Sequence, residues 1–120
     1  MSQYVDGFVV PVPKNKLAAY RRIAALGARL WSEHGALDYK ECAGDNLAAS
    51  FGRSFLKGIK LKQGETVVFS WITYKSRKHR DQVNAKVMRD PRMAAMCSPD
   101  KLPFDCKRML HGSFKVIVSG

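Results

Sequence analysis

Three ionisable residues stand in runs that otherwise read as apolar strand. Asp6 lies among Tyr4, Phe8 and Val10; Glu41 follows Leu37 and Tyr39 at two-residue spacing; Arg108 shares its phase with Leu110. A charge on such a face must be paired, left at an edge, or used. One use is a pocket in which a carboxylate acts as general base or as hydrogen-bond anchor. The other reading is a structural ion-pair network, with Arg108 or a neighbouring lysine as the cation. Trp71 would wall such a pocket, and core packing explains it equally well. Arg80 and Asn84 are polar at i and i+4 on what should be the apolar stripe of a helix. They suit a ligand anion, a loop cap, or bonds to the turn at 90–92. Asp6, Glu41, Trp71, Arg80, Asn84 and Arg108 are therefore the candidate ligand-binding residues, and no catalytic residue is assigned.

Other chemistry finds little support. The chain has no GxSxG, HExxH, P-loop or GxGxxG pattern. His34, His79 and His111 fall on different elements, and Cys42, Cys97 and Cys106 are odd in number without CxxC spacing. No metal, cofactor or disulfide framework is expected from them. Cys42, at a strand end, is expected to be a small core residue.

The elements that must position these residues alternate in a definite order. An alternating run at Tyr4–Val10 precedes an amphipathic helix at about Lys14–His34, with Asn15 as N-cap and Gly35 as the terminating glycine. Pro11 and Pro13 should end the first strand, since neither can donate to a ladder. A second strand follows at Leu37–Cys42. The segment Gly44–Gly64 has no period, but its apolar residues suggest a packed excursion with a helical turn. A β-rich run at Thr66–Tyr74, a helix at about Ser76–Arg89 and a strand at about Met109–Val118 complete the pattern. The order is β-α-β-β-α-β, the split βαβ of ferredoxin-like α+β folds, an antiparallel sheet with two helices on one face.

Two helices cover one face only. Tyr4, Phe8, Val10, Leu37 and Tyr39 with Phe69 and Trp71 imply that the other face is apolar too, and proteins in water rarely leave such a face bare. The expected solution is a homodimer with two sheets face to face, closed around a shared core.

Composition bounds the rest. The 120 residues, 46% of them hydrophobic, are expected to form one domain (1–120) with a core that needs no disulfides. No stretch is long enough to span a bilayer, and the N-terminus runs into a strand without a basic-then-apolar leader, so a cytoplasmic location without membrane attachment is expected. The net charge of +11 would attract polyanions. It is spread over Lys14–Arg29, the excursion, and the start of the second helix, and aromatic residues do not interleave with it as single-strand binding would want. Non-specific, salt-sensitive contact with nucleic acid is therefore expected, not sequence reading.

Several strings occur together in order: Tyr-Val-Asp-Gly-Phe at 4–8, Glu-Thr-Val-Val-Phe-Ser-Trp at 65–71, Arg-Asp at 80–81, Val-Met-Arg-Asp-Pro-Arg-Met at 87–93, and Pro-Phe-Asp-Cys-Lys-Arg-Met at 103–109. With them the whole chain resembles the YbaA-like family (domain of unknown function 1428) of small bacterial proteins. That resemblance implies membership of the dimeric α/β barrel superfamily, hence a dimeric barrel. The superfamily includes small-substrate monooxygenases, heme proteins, isomerases and ligand-sensing domains, and fold kinship does not choose among them. The expectation is a homodimer that binds a small organic ligand without a cofactor. A cofactor-independent monooxygenase- or isomerase-like enzyme acting through Asp6 or Glu41 is the alternative, and weak polyanion binding a third.

Overall fold

The computed structural model, which describes residues 2–48, 50–96 and 102–120, places four antiparallel strands in one sheet. They are β1 (Tyr4–Pro13), β2 (Asp38–Ala43), β3 (Glu65–Tyr74) and β4 (Leu110–Lys115), in the spatial order β2-β3-β1-β4. The connecting helices are α1 (Leu17–Glu33), α2 (Phe55–Gly58), α3 (Arg77–Arg89) and α4 (Pro91–Met96). The order and topology are those of the expected ferredoxin-like α+β fold. The barrel is not. The sheet is open, with β2 and β4 as free edges, and the expectation of an α/β barrel is corrected accordingly. A barrel whose interior is just filled by side chains takes about eight strands, and these four twist into a two-edged layer.

The prolines do not end β1 as expected. The strand continues through Pro11 and Pro13, opposite Val67 and Glu65 of β3. The reason is the direction of the amides. The Lys14 amide donates to the Gly64 carbonyl at 2.8 Å, on the β3 side. Alternation along the strand then turns positions 11 and 13 toward the β4 side, where the ladder has already stopped at Val9 opposite Leu110. The missing proline N–H groups would have had no partner there.

Helix termini follow local chemistry, with one exception. A 3₁₀ turn at Lys14–Lys16 absorbs Asn15, and Lys16 takes the N-cap position of α1 without a side-chain bond. At the other end Gly35 has φ of +112°. The Gly35 amide donates to the Ser32 carbonyl and the Ala36 amide to the Trp31 carbonyl, the paired bonds of a Schellman motif. Ser76 caps α3, its hydroxyl accepting from the His79 amide at 3.1 Å. The excursion contains the expected turn as α2, capped by Ser54.

The register decides which residues face the helices. The cross-strand partners Asp6 and Ile72, Phe8 and Ser70, and Val10 and Val68 share the inner face with Tyr39 and Glu41 of β2. Tyr4, Phe8, Val10 and Tyr39, expected on the bare face, are therefore on the covered one. The outer face carries the opposite phase: Val5, Gly7, Val9, Phe69, Trp71, Leu110 and Phe114 on β1, β3 and β4, with the Asp38–Lys40 ion pair at the β2 edge. It is apolar as expected, but through other residues. Cys42 lies in this outer phase and is exposed, not core; Cys106 is exposed as well, and Cys97 lies outside the described residues.

The core beneath α1 and α3 is in two parts. Val10, Val12, Val68, Tyr20 and Ala24 pack at one end of the inner face. Ile72, Tyr74, Val83 and Val87 pack at the other, flanked by Trp31 and Tyr39. Between Val68 and Ile72 on β3 stands Ser70, a small buried polar residue.

Candidate functional site

Ser70 marks the floor of a cavity. Its cross-strand neighbours are Phe8 on β1 and Glu41 on β2. The gap it leaves between the two core clusters opens into a cavity of about 430 Å³ beneath α1, α3 and α4. The wall is mostly apolar, including Ile23, Trp31, Phe104 and several methionines; Asp6, Glu41, Arg80 and Asn84 are polar members, with Ser70 and His111 beside them.

Each polar member is held by a different element. Asp6, on the central strand β1, accepts from the Ser113 hydroxyl at 2.7 Å and from Arg80 Nη1 at 3.1 Å, both at Oδ1. Arg80 reaches down from α3. It also donates to Ser113 Oγ and to Asp81 Oδ1, and its guanidinium lies 5.1 Å from the centre of the Tyr4 ring. The Asp6 side chain is 4% exposed and that of Arg80 16%. This is a desolvated pair with its charge balanced inside the fold. Asn84 Oδ1 accepts from the Trp31 indole at 3.0 Å and from the Tyr74 hydroxyl at 3.3 Å, tying α3 to α1 and β3.

Glu41 differs in kind. Its Oε1 accepts from the Tyr20 hydroxyl and its Oε2 from the Tyr39 hydroxyl, each at 2.7 Å. Among the described residues no lysine, arginine or histidine forms an ion pair with it. Burial, followed by the negative charge and the hydrogen bond of Glu41, holds both phenols well above the usual tyrosine range. They therefore stay protonated and act as donors. Burial, then the charge of Asp6, raises Tyr74 likewise. Tyr39 reaches Glu41 because α1 carries Gly27, where a Cβ would lie only 2.9 Å from the Tyr39 hydroxyl.

The structure thus brings Asp6, Glu41, Arg80 and Asn84 around one cavity. Trp71 and Arg108 stand elsewhere. Trp71 is on the outer face, beside Phe69 and donating to Asp38 Oδ2 at 3.4 Å. Arg108 sits in a 3₁₀ turn before β4, where it grips both Glu65 oxygens, at 2.6 and 3.0 Å, and the Lys60 carbonyl. The cation for Asp6 is Arg80, not Arg108. Sequence reasoning missed Tyr20, Tyr39 and Ser70. A signal existed: Tyr20 on an apolar helix stripe and Tyr39 two residues before Glu41 are phenols whose burial demands a partner. Among the described residues no group of three or more His, Cys, Asp or Glu side chains is arranged to hold a metal ion. No described helix is long and apolar enough to cross a membrane.

Known proteins agree with this picture of the fold. Residues 3–106 match the family described as "Protein of unknown function (DUF1428)". The uncharacterized protein YbaA of Escherichia coli strain K12 is 45% identical over 116 residues, 97% of each chain, and that of Shigella flexneri matches equally. Among solved structures, a dimeric ferredoxin-like protein from an uncultured marine organism superposes with a TM-score of 0.58 at 10% identity over the whole of both chains. A NIPSNAP family protein of unknown function from Agrobacterium tumefaciens gives 0.58 at 13% identity, covering 96% of this chain and 88% of that one. A NIPSNAP domain protein from Burkholderia xenovorans gives 0.56 at 14%, covering 97% and 94%. Similarity at this level speaks to the fold alone.

Proposed function

We propose, for a chain that belongs to the DUF1428 family, that it is a homodimeric protein binding one small organic molecule per chain in the cavity above Ser70. The split core carries this reading. Between the two core clusters the fold keeps a pocket of about 430 Å³, half open to solvent, where a continuous core would have closed it. That volume, with a mostly apolar wall and a few convergent polar groups, is the form of a small-molecule site. The homodimer is supported by the outer face, where Phe69, Leu110 and Phe114 are exposed around a shallow depression of about 720 Å³. A second copy of the same open sheet is a self-complementary cover for it.

Native mass spectrometry of the purified protein tests the ligand reading, beside a Ser70→Leu variant that fills the cavity floor. The wild type should carry a small co-purified molecule, or take one from a fragment library, and the folded variant should not. A wild type that binds nothing from such a library would overturn the reading.

A further inference from the structure

The cavity has two carboxylates, and they are not equivalent. Asp6 has a cation of its own in Arg80, and Arg80 is spent on Asp6, Asp81 and Ser113. Glu41 is stabilised by two neutral phenols and, among the described residues, by no cation. A carboxylate offers about four lone-pair sites, and the phenols fill one on each oxygen. Lone pairs are left over on a group that lines the cavity.

Glu41 also lines a second hollow of about 510 Å³, at the sheet edge between α1 and β2. The two hollows share Tyr20, Ala24, Tyr39 and Glu41 as a common wall. Arg21 and Lys40 border only the outer hollow, and the Lys40 ammonium is bonded to Asp38. The two cations that share the outer hollow with Glu41 therefore stand outside the wall, not in the cavity.

We infer that the cavity selects an apolar molecule bearing one protonated amine, whose ammonium group pairs with Glu41 from the cavity side. The inference rests on the ligand-binding reading above and names the chemical class of that ligand. Three features point the same way. An ammonium supplies the charge and the N–H donors that Glu41 lacks. The rings of Tyr20, Trp31, Tyr39 and Phe104 line the same space, and aromatic faces attract cations. The methionines of the lining give an adaptable wall for an apolar body. An anionic ligand is disfavoured in spite of the chain's net charge of +11, since it would meet Glu41 directly, the one cavity arginine is already paired, and the histidine of the lining, His111, is stacked on the Phe8 ring.

Three matched probes decide the matter: phenethylamine, 2-phenylethanol and 3-phenylpropionate, titrated into the full chain and followed by NMR shifts of cavity residues. The amine should bind roughly tenfold or more tighter than the alcohol, the size of a combined ion-pair and cation–π contribution. The carboxylate should bind weakest. Glu41→Gln should abolish the preference of amine over alcohol while both still bind. Tyr39→Phe, which keeps the carboxylate and removes one of its donors, should retain the preference, so the comparison survives if Glu41→Gln fails to fold. Equal or tighter binding of the alcohol or the carboxylate would overturn the amine assignment and leave the ligand-binding reading standing. Shifts with none of the three probes would overturn the amine assignment, and the absence of any binder in the fragment library would overturn both.

Discussion

Gly27 and Tyr39 are fitted to each other: a Cβ at position 27 would lie 2.9 Å from the Tyr39 hydroxyl. A glycine inside a helix ordinarily costs about 0.8–1.0 kcal/mol relative to alanine. Here it lets the Tyr39 phenol pass beneath α1 and donate to Glu41.

Gly27→Ala should therefore destabilise the protein, against the helix-propensity trend. The overpacking cost of about 1–3 kcal/mol exceeds the propensity gain of about 1 kcal/mol. In a Tyr39→Phe background the obstructing oxygen is gone, and Gly27→Ala should then stabilise. Thermal melts of the four proteins check this. A stabilising Gly27→Ala in the wild-type background would disprove the steric relationship.

Asp6→Asn should cost about 1.5–3 kcal/mol, the range for hydrogen bonds to charged groups. The amide oxygen can still accept, and Arg80 keeps Asp81, so the loss should not reach that of a fully orphaned buried charge. Combined with Arg80→Met, the loss should be smaller than the sum of the single losses, because the two share one interaction. Denaturant titrations of the cycle measure it, and additive losses would show that the pair is not coupled.

Tyr20, Tyr39 and Tyr74 should resist ionisation in the folded protein. Their folded values are raised above the ordinary value near 10 by burial and by Glu41 or Asp6. The sign follows from linkage: the contribution to stability is complete below the unfolded value and is lost as pH rises toward the folded one. Phenolate absorbance from these three should thus appear together with alkaline unfolding. Their ionisation near pH 10 with the circular dichroism still native would contradict the assignment.

The homodimer reading predicts light scattering at twice the chain mass of 13.5 kDa. Phe114, whose ring lies across the cross-strand glycines Gly7 and Gly112 on the outer face, is the place to break it. Phe114→Asp should give a folded monomer. A wild type that is monomeric at micromolar concentration would refute the stacking of two outer faces.

Much of the fold was legible in the chain because its signals are local. Period-two runs, the Ser76 cap and the Gly35 terminator each depend on a few adjacent residues, and they place β1 to β4, α1 and α3 close to where they stand. The candidates Asp6, Glu41, Arg80 and Asn84 were legible for a related reason: a polar residue in an apolar phase stands out without any knowledge of its partner. What the chain could not disclose was register. Whether Tyr4, Phe8 and Tyr39 face the helices or the outside turns on a one-residue slip, and only the ladders of β1 with β3 and β2 with β3 decide it. Pro11 stayed in its strand because β4 stops short, a fact about a neighbour more than ninety residues away. The same long-range pairing chose Arg80 over Arg108 for Asp6 and set two phenols from different elements on Glu41. Residue types and spacing thus determined which groups could do chemistry. Which of them meet, and in what state of charge balance, was decided by packing α1 and α3 onto an open sheet, because those contacts join residues that no local rule connects.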